Sequence, residues 1–426
     1  MFPDFHYLFY KLFGIDIPAL SIVKTFGFCV ALAFLGGAWI LAKELKRKKE
    51  EGLFQPEIVT EESGKPATVS ELIWMGVLGF ILGFKILGLI LNATAISLDP
   101  IAYVFSAQGS LPGGILGAAL LIYLRYREKK KRQTEKPVIK KVAFYPHQRV
   151  ADIIFIAAIT GFAGAKIFNA FETWNDFLRD PIANLLSPSG LTFYGGLIFA
   201  TIALYLYSRK KKYSFAQFCD AAAPALMLAY AIGRLGCQFA GDGDWGIYNS
   251  AYITQADGSL IKGSPADFED QVAKYPESFK EFGAAHTVPQ LYVPAKAGLP
   301  VWLFAQNFKN NVNNDGIPIA GDTGTYTHVL PVAVFPTSMY EFAACFLLFL
   351  LLWAIRKRVK YPLQLFGIYL ILNGLERFFI EKIRVNYEYD WGFIHPTQAE
   401  IISTCLVIAG CILFFVMRKR GKVAVE

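Results

Sequence analysis

The chain is 426 residues long, 54% hydrophobic and 15% aromatic, with only 18% charged residues and a net charge of +8. Soluble domains sit nearer a quarter charged, so an ordinary cytosolic enzyme is excluded, as are intrinsic disorder, a disulfide scaffold and a collagen-like fibre. Apolar runs approaching 20 residues, the length that crosses a hydrocarbon core of about 30 Å, mark a polytopic membrane protein.

Residues 1–19 read as an interfacial N-terminal segment. Met1 to Phe13 is aromatic, without a basic n-region or a small-residue cleavage site, which favours a helix lying on the outer face over a cleavable signal peptide. Nine spans are expected, at 20–42, 70–93, 111–126, 150–171, 191–208, 214–236, 335–355, 362–380 and 397–417. Lysine and arginine gather at 43–49, 125–141, 209–212, 356–360 and 418–422, which hold 26 of the 42 basic residues. Such an excess marks loops on the cytoplasmic side. Nine crossings put every cluster there, with the N-terminus outside and the C-terminus inside. The clusters flank spans and lack interleaved aromatics, so no nucleic acid is expected as a partner.

The expected fold is therefore an all-α polytopic membrane protein of about nine transmembrane helices. Spans 1–6 occupy 20–246 and spans 7–9 occupy 334–426. Between them, residues 247–333 carry 5 basic and 8 acidic residues, fitting a small mixed extracytoplasmic insert. Within it, Asp257-Gly258 between Tyr252-Ile253-Thr254 and Leu260-Ile261 reads as a hairpin turn, and Asn313-Asn314-Asp315-Gly316 as another turn. The six cysteines fall mostly inside apolar spans, with no CxxC pair and no His/Cys metal spacing. They read as small hydrophobes, and neither metal nor cofactor is expected.

A two-span hairpin is duplicated, at 70–130 and 150–212. Gly83-Phe84-Lys85-Ile86 recurs 81 residues on as Gly164-Ala165-Lys166-Ile167, and Asp99-Pro100-Ile101-Ala102 as Asp180-Pro181-Ile182-Ala183. After a one-residue slip, Gly113-Gly114-Ile115 matches Gly195-Gly196-Leu197. The first copy has Leu111-Pro112 where the second has Phe193-Tyr194. The second copy is thus the one to carry chemistry and the first a buttress.

Polar groups inside apolar spans are costly and mark function by default. At about 1.5 Å per helical residue from the inner basic anchors, Arg234 lies about 33 Å up, Lys166 and Arg377 about 25 Å, and Tyr194 and Glu341 about 22 Å. All five fall in the outer half of the bilayer. Three clusters stand out. Gly233-Arg234-Leu235-Gly236-Cys237-Gln238-Phe239-Ala240-Gly241-Asp242-Gly243-Asp244-Trp245-Gly246 combines glycines with a planar guanidinium suited to phosphate. Arg377, Glu381 and Arg384, at i, i+4 and i+7, share a helical face. An internal ion pair accounts for the first two alone, while the third argues for an external anion. Pro336-Thr337-Ser338-Met339-Tyr340-Glu341 opens span 7, where Tyr340 has an interfacial-belt reading and Glu341 lies one step deeper. Together these describe a cationic site open to the outer leaflet, for which an anionic phospholipid headgroup is the natural ligand.

At these residues the sequence resembles the prolipoprotein diacylglyceryl transferase family. Its Gly-Arg-x-Gly-Asn-Phe-x-Asn-Gly-Glu-x-Trp-Gly signature is similar to Gly233 through Gly246 with one additional residue, and its His-Gly-Gly-Leu to Tyr194-Gly195-Gly196-Leu197. Its His-Pro-Ser-Gln-Leu-Tyr-Glu resembles Phe335 through Glu341, its Arg-x-x-x-Glu-x-x-Arg matches Arg377, Glu381 and Arg384, its Gly-Gln resembles Thr397-Gln398, and its early Tyr-Gly resembles Phe26-Gly27. The family histidine is replaced by Tyr194, an asparagine by Cys237, the early tyrosine by Phe26 and an arginine by Lys166. Seven spans are usual there, so the duplicated hairpin supplies the extra pair.

The resemblance implies transfer of diacylglyceryl from phosphatidylglycerol to the lipobox cysteine of a preprolipoprotein signal peptide, at the outer leaflet of the bacterial cytoplasmic membrane. Its implied catalytic residues are Arg234, Arg377, Glu381 and Tyr194, with the arginines stabilising the departing phosphate and Tyr194 positioning by hydrogen bond. Its implied substrate-binding residues are Gly195, Gly196, Gly236, Asp242, Asp244, Gly246, Tyr340, Glu341, Arg384, Lys166 and Gln398. Glu381, Asp242, Asp244, Tyr194 and His395 remain open as the base that takes the thiol proton. Two other readings compete: an inactive homologue that binds phospholipid or lipoprotein precursor, motivated by the replaced histidine and asparagine, and a transporter, motivated by the repeat.

Overall fold

In a computed structural model, described for all residues except 64, 92–102, 104–105, 134–137, 188–189, 191, 283–286, 297, 387 and 424–426, the chain divides into two compact units. One comprises Met1–Phe13, Val23–Leu45 and Ala216–Glu426, the other Gly14–Ile22 and Lys46–Phe215. In chain order the helices are α1 (Phe5–Phe13), α2 (Thr25–Glu50), α3 (Val69–Leu91), α4 (Leu111–Arg132), α5 (Val150–Glu172), α6 (Trp174–Arg179), α7 (Pro181–Leu186), α8 (Phe193–Lys210), α9 (Phe215–Ala240), α10 (Pro265–Lys274), α11 (Thr337–Ile355), α12 (Gln364–Glu381) and α13 (Gln398–Val423).

Six helices are long and apolar enough to cross a membrane: α2, α3, α5 with the turn before it, α9, α11 and α13. Helices also stand at the other three expected spans, α4, α8 and α12, each with a physical reason for weaker apolarity. The last turn of α4 is Lys129, Lys130, Lys131 and Arg132, α8 ends on Arg209-Lys210, and α12 carries Glu376, Arg377 and Glu381. The first span begins at Thr25 rather than residue 20, because Pro18–Ile22 forms a separate 3-10 turn. The protein is multi-pass and mostly helical.

In the second unit, α3 packs on α4 and α5 on α8 through glycines. A Cβ on Gly79 would lie 2.3 Å from the Gly117 carbonyl oxygen, and one on Gly164 would lie 2.5 Å from that of Gly195. Backbones approach this closely only where side chains are missing. Both hairpins carry the same staple. Lys85 Nζ donates to the carbonyls of Tyr103 (2.7 Å) and Ser106 (2.6 Å); 81 residues on, Lys166 Nζ donates to those of Asn184 (3.3 Å) and Ser187 (2.6 Å). Next, Ser110 N donates to Phe84 O and Thr192 N to Ala165 O, which places the one-residue slip between 106 and 110. The Asp99–Ala102 portion of the repeat lies outside the described residues.

A two-stranded antiparallel ribbon, β1 (Glu57–Ser63) with β2 (Val138–Phe144), joins this unit and departs from the all-α expectation. Its register sets Glu61 opposite Lys140 and Thr60 opposite Lys141.

The first unit holds the insert. β3 (Tyr248–Thr254) pairs with β4 (Leu260–Lys262), β5 (Gln290–Leu291) and β8 (Val332–Val334), while β6 (Ile317–Pro318) pairs with β7 (His328–Val329). The β3–β4 turn runs through Asp257-Gly258, with Gly258 at φ +80°. Tyr248, Phe268, Phe279, Phe308, Leu330 and Val332 form the insert's own apolar core. Helix α1 is tied to that insert, Lys11 to Asn310 by hydrogen bond and Tyr7 to Tyr326 by ring contact at 5.2 Å. Buried Asp220 of α9 caps the start of α12, accepting from the backbone N–H groups of Leu363 (2.8 Å) and Phe366 (2.9 Å).

Candidate active site

Four segments of the first unit supply the site: the C-terminal end of α9, the Gly241–Gly246 turn, the start of α11 and the end of α12. The turn doubles back because Gly241 and Gly243 adopt φ of +66° and +92°, which side chains disfavour. It is pinned by Gly246 N donating to Phe335 O (2.8 Å) and Ile247 N to Ile383 O (2.9 Å). A Cβ on Gly246 would lie 2.6 Å from the latter carbonyl oxygen. Thr337 and Ser338 both donate their hydroxyls to the Asp244 carbonyl oxygen, at 2.8 and 2.9 Å. These bonds present the Asp244 side chain to the arginines.

Glu341 is the centre, with no solvent exposure. Its carboxylate lies 3.1 Å from Arg234 Nε, 3.5 Å from Arg377 Nη1 and 3.7 Å from Arg384 Nη1, and it accepts from the Tyr230 hydroxyl at 3.1 Å. Asp244 bridges Arg234 and Arg384. Arg377 pairs with Glu381 at 2.7 Å, and Glu381 accepts from Asn386 Nδ2 (2.6 Å) and Thr397 Oγ1 (2.8 Å). Three guanidiniums are thus met by three carboxylates.

Two carboxyls of the turn are driven apart. Burial and the neighbouring Asp244 push the Asp242 carboxyl above its ordinary range. Burial acts on Asp244 in the same sense, but the guanidiniums of Arg234 and Arg384 outweigh it and hold that carboxyl below.

The sequence-derived residues of this unit fall as follows. Arg234, Arg377, Arg384, Glu341, Glu381, Asp244 and Asp242 come together. Gly236 packs α9 against α2, where a Cβ would lie 2.8 Å from that of Cys29, and Cys237 is buried with Sγ 3.9 Å from Arg234 Nη1. Tyr340 points its hydroxyl at the Leu303 carbonyl of the insert. Gln398 is exposed beside Thr397, and His395 is half exposed, 3.6 Å from Asp390. Tyr194, Gly195, Gly196 and Lys166 belong to the second unit. There, Gly195 is buried against Gly164 and Phe168, Tyr194 meets the Phe193 ring edge-on, and Lys166 staples its hairpin. Sequence reasoning passed over Tyr230, one turn before Arg234, and Asn386. It also passed over Glu376, although an acidic residue inside an apolar span was signal enough.

Among the described residues, Cys237, Asp242 and Asp244 are the one group whose ligand atoms lie close enough to hold a metal ion, within 4.8 Å of one another. Both Asp244 oxygens are already taken by arginines, so this donor set does not fit a cation.

A charged cluster walled by apolar helices defines a multi-pass membrane protein with a buried polar site. The family model of prolipoprotein diacylglyceryl transferase matches residues 133–416. Among curated relatives, the phosphatidylglycerol–prolipoprotein diacylglyceryl transferase of Corynebacterium glutamicum is 27% identical over 278 residues, covering 64% of this chain and 70% of that protein. The like-named protein of Dehalococcoides mccartyi is 25% identical over 329 residues, 76% of this chain and 95% of its own length. That of Leptospira interrogans is 34% identical over 127 residues, 24% and 40% respectively. This chain belongs to the prolipoprotein diacylglyceryl transferase family.

Proposed function

We propose that the protein transfers the diacylglyceryl group of phosphatidylglycerol to the lipobox cysteine thiol of a preprolipoprotein, releasing glycerol phosphate. It would do so from the bacterial cytoplasmic membrane, crossed nine times, with its site towards the outer leaflet. The observation that carries this reading is the convergence of Arg234, Arg377 and Arg384 on Glu341. The family match and the relatives' printed names support the substrates.

The cysteine must lose its proton, since the thiolate is the nucleophile and a free thiol titrates near ~8.5. Its sulfur then bonds to the glyceryl carbon, the carbon–oxygen bond breaks, and the electron pair goes to the phosphate oxygen. Arginine forks match a phosphate's two oxygens. Held in place by Glu341, Asp244 and Glu381, they meet the developing charge with little reorganisation. Asp242 is the base in this scheme, because its raised affinity for a proton suits it to the task. Asp244, gripped by two arginines, is the poorer acceptor.

Purified protein given phosphatidylglycerol and a cysteine peptide should release glycerol phosphate, and Arg234→Ala and Arg377→Ala should abolish release while inserting normally. Full activity in either variant overturns the mechanism. The replacement of the family histidine and asparagine by Tyr194 and Cys237 favours a second reading, a lipid-binding homologue without activity. No release by the wild type would select it.

A further inference from the structure

One acid beside the arginine cluster has no part in the scheme above. Glu376 is 8% exposed and sits on α12 directly before Arg377. Neither of its carboxyl oxygens receives an N–H or O–H, and the strongest donor beside it is the Cys345 thiol, a weak one. Its titratable and charged neighbours are Tyr230 and Arg234 on α9, Glu341 and Cys345 on α11, and Arg377 on its own helix.

The charges of that neighbourhood decide its state. Arg234 and Arg377 each already face two carboxylates, Asp244 with Glu341 and Glu341 with Glu381. An ionised Glu376 would add a buried negative charge that receives no N–H or O–H, beside two guanidiniums already shared among three carboxylates, a costly arrangement. The neutral acid costs far less. Arginine does not release its protons, and the Tyr230 phenol is a far weaker acid than a carboxyl. The proton on Glu376 is therefore the mobile one beside the cluster.

We propose that Glu376 is held as a neutral carboxylic acid beneath the arginines and is the source of the proton that the departing phosphate collects. This rests on the transferase reading. As the glyceryl carbon–oxygen bond breaks, the phosphate monoester gains a second negative charge. Glu376 gives up its proton to the cluster by way of its neighbour Glu341, and the phosphate oxygen takes it. The proton that Asp242 takes from the thiol is returned through solvent to Glu376. One sulfur–carbon bond forms, one carbon–oxygen bond breaks, and no proton is gained or lost overall.

The test compares wild type, Glu376→Gln and Glu376→Asp in phosphatidylglycerol-containing micelles, with matched melting curves as the folding control. Infrared spectra should show a carboxylic-acid C=O band that Glu376→Gln removes. Glycerol phosphate release should fall roughly a hundredfold in Glu376→Gln, in keeping with the loss of one acid–base group. It should recover in part in Glu376→Asp, and only the two acids should lose rate as pH rises. A band unchanged by Glu376→Gln overturns the neutral acid. A Glu376→Gln variant with wild-type rate at every pH overturns the donor role alone. A wild type that shows the band but releases nothing overturns the transferase reading, and the donor role with it.

Discussion

At Glu341, four groups from two helices, α9 and α12, and the segment after α12 share one carboxylate. Removing its charge takes one partner from each of three guanidiniums that keep Asp244 or Glu381, so Glu341→Gln should cost about 1–3 kcal/mol, read as lost thermal stability in micelles. The two aspartates of the turn should answer pH in opposite senses. Asp244 is held below its ordinary range, so its stabilisation is present at neutral pH and lost as pH falls through its folded value. Asp242 is held above, so its ionisation opposes folding at neutral pH, and that penalty is relieved on acidification. Asp244→Asn should therefore lower the melting temperature at pH 7 and Asp242→Asn raise it slightly, with the two converging in acid. Most of these residues were legible in the sequence because charge inside an apolar run is rare and the spacing of Arg377, Glu381 and Arg384 fixes a common face. Their pairing was not. Which carboxylate faces which arginine depends on the Gly241–Gly246 turn, a tertiary fact with no local signature.

Between elements, glycine placement sets how near two helices can come. Gly164 and Gly161 make a controlled pair on α5. A Cβ on Gly164 would lie 2.5 Å from Gly195 O, whereas one on Gly161 has nothing nearer than 3.6 Å. Gly164→Ala should cost about 1–3 kcal/mol through overpacking, and Gly161→Ala should be tolerated, as thermal unfolding would report. On the other unit, Asp220→Ala frees the N–H groups at the start of α12 and should cost about 1–2 kcal/mol, the usual value of a helix cap. The helices themselves were legible from apolar length, and the β3–β4 hairpin from Asp257-Gly258. The β1–β2 ribbon, Glu57–Ser63 with Val138–Phe144, was not. Its ladder joins residues some 80 apart, and pairing of that kind leaves no local pattern.

For the whole molecule, basic clusters set the expected orientation. Nine crossings require that cysteines introduced at Lys46, Lys130 or Lys360 resist a membrane-impermeant thiol reagent applied outside, while one introduced at Asp257 reacts. Labelling of all four would sink the proposed topology. Length and charge carried this much from sequence, while the split into two units emerges only from long-range packing. The balance of three guanidiniums against three carboxylates also bears on how a lipid arrives. Opposite charges a few ångströms apart cancel at a distance, and salt screens what remains beyond about 10 Å. Such a cavity exerts no far-reaching pull on phosphate. On the proposed transferase reading, the lipid would arrive by sideways wandering within the leaflet, so added salt should leave KM for phosphatidylglycerol within about twofold, where a bare cationic funnel would weaken steeply.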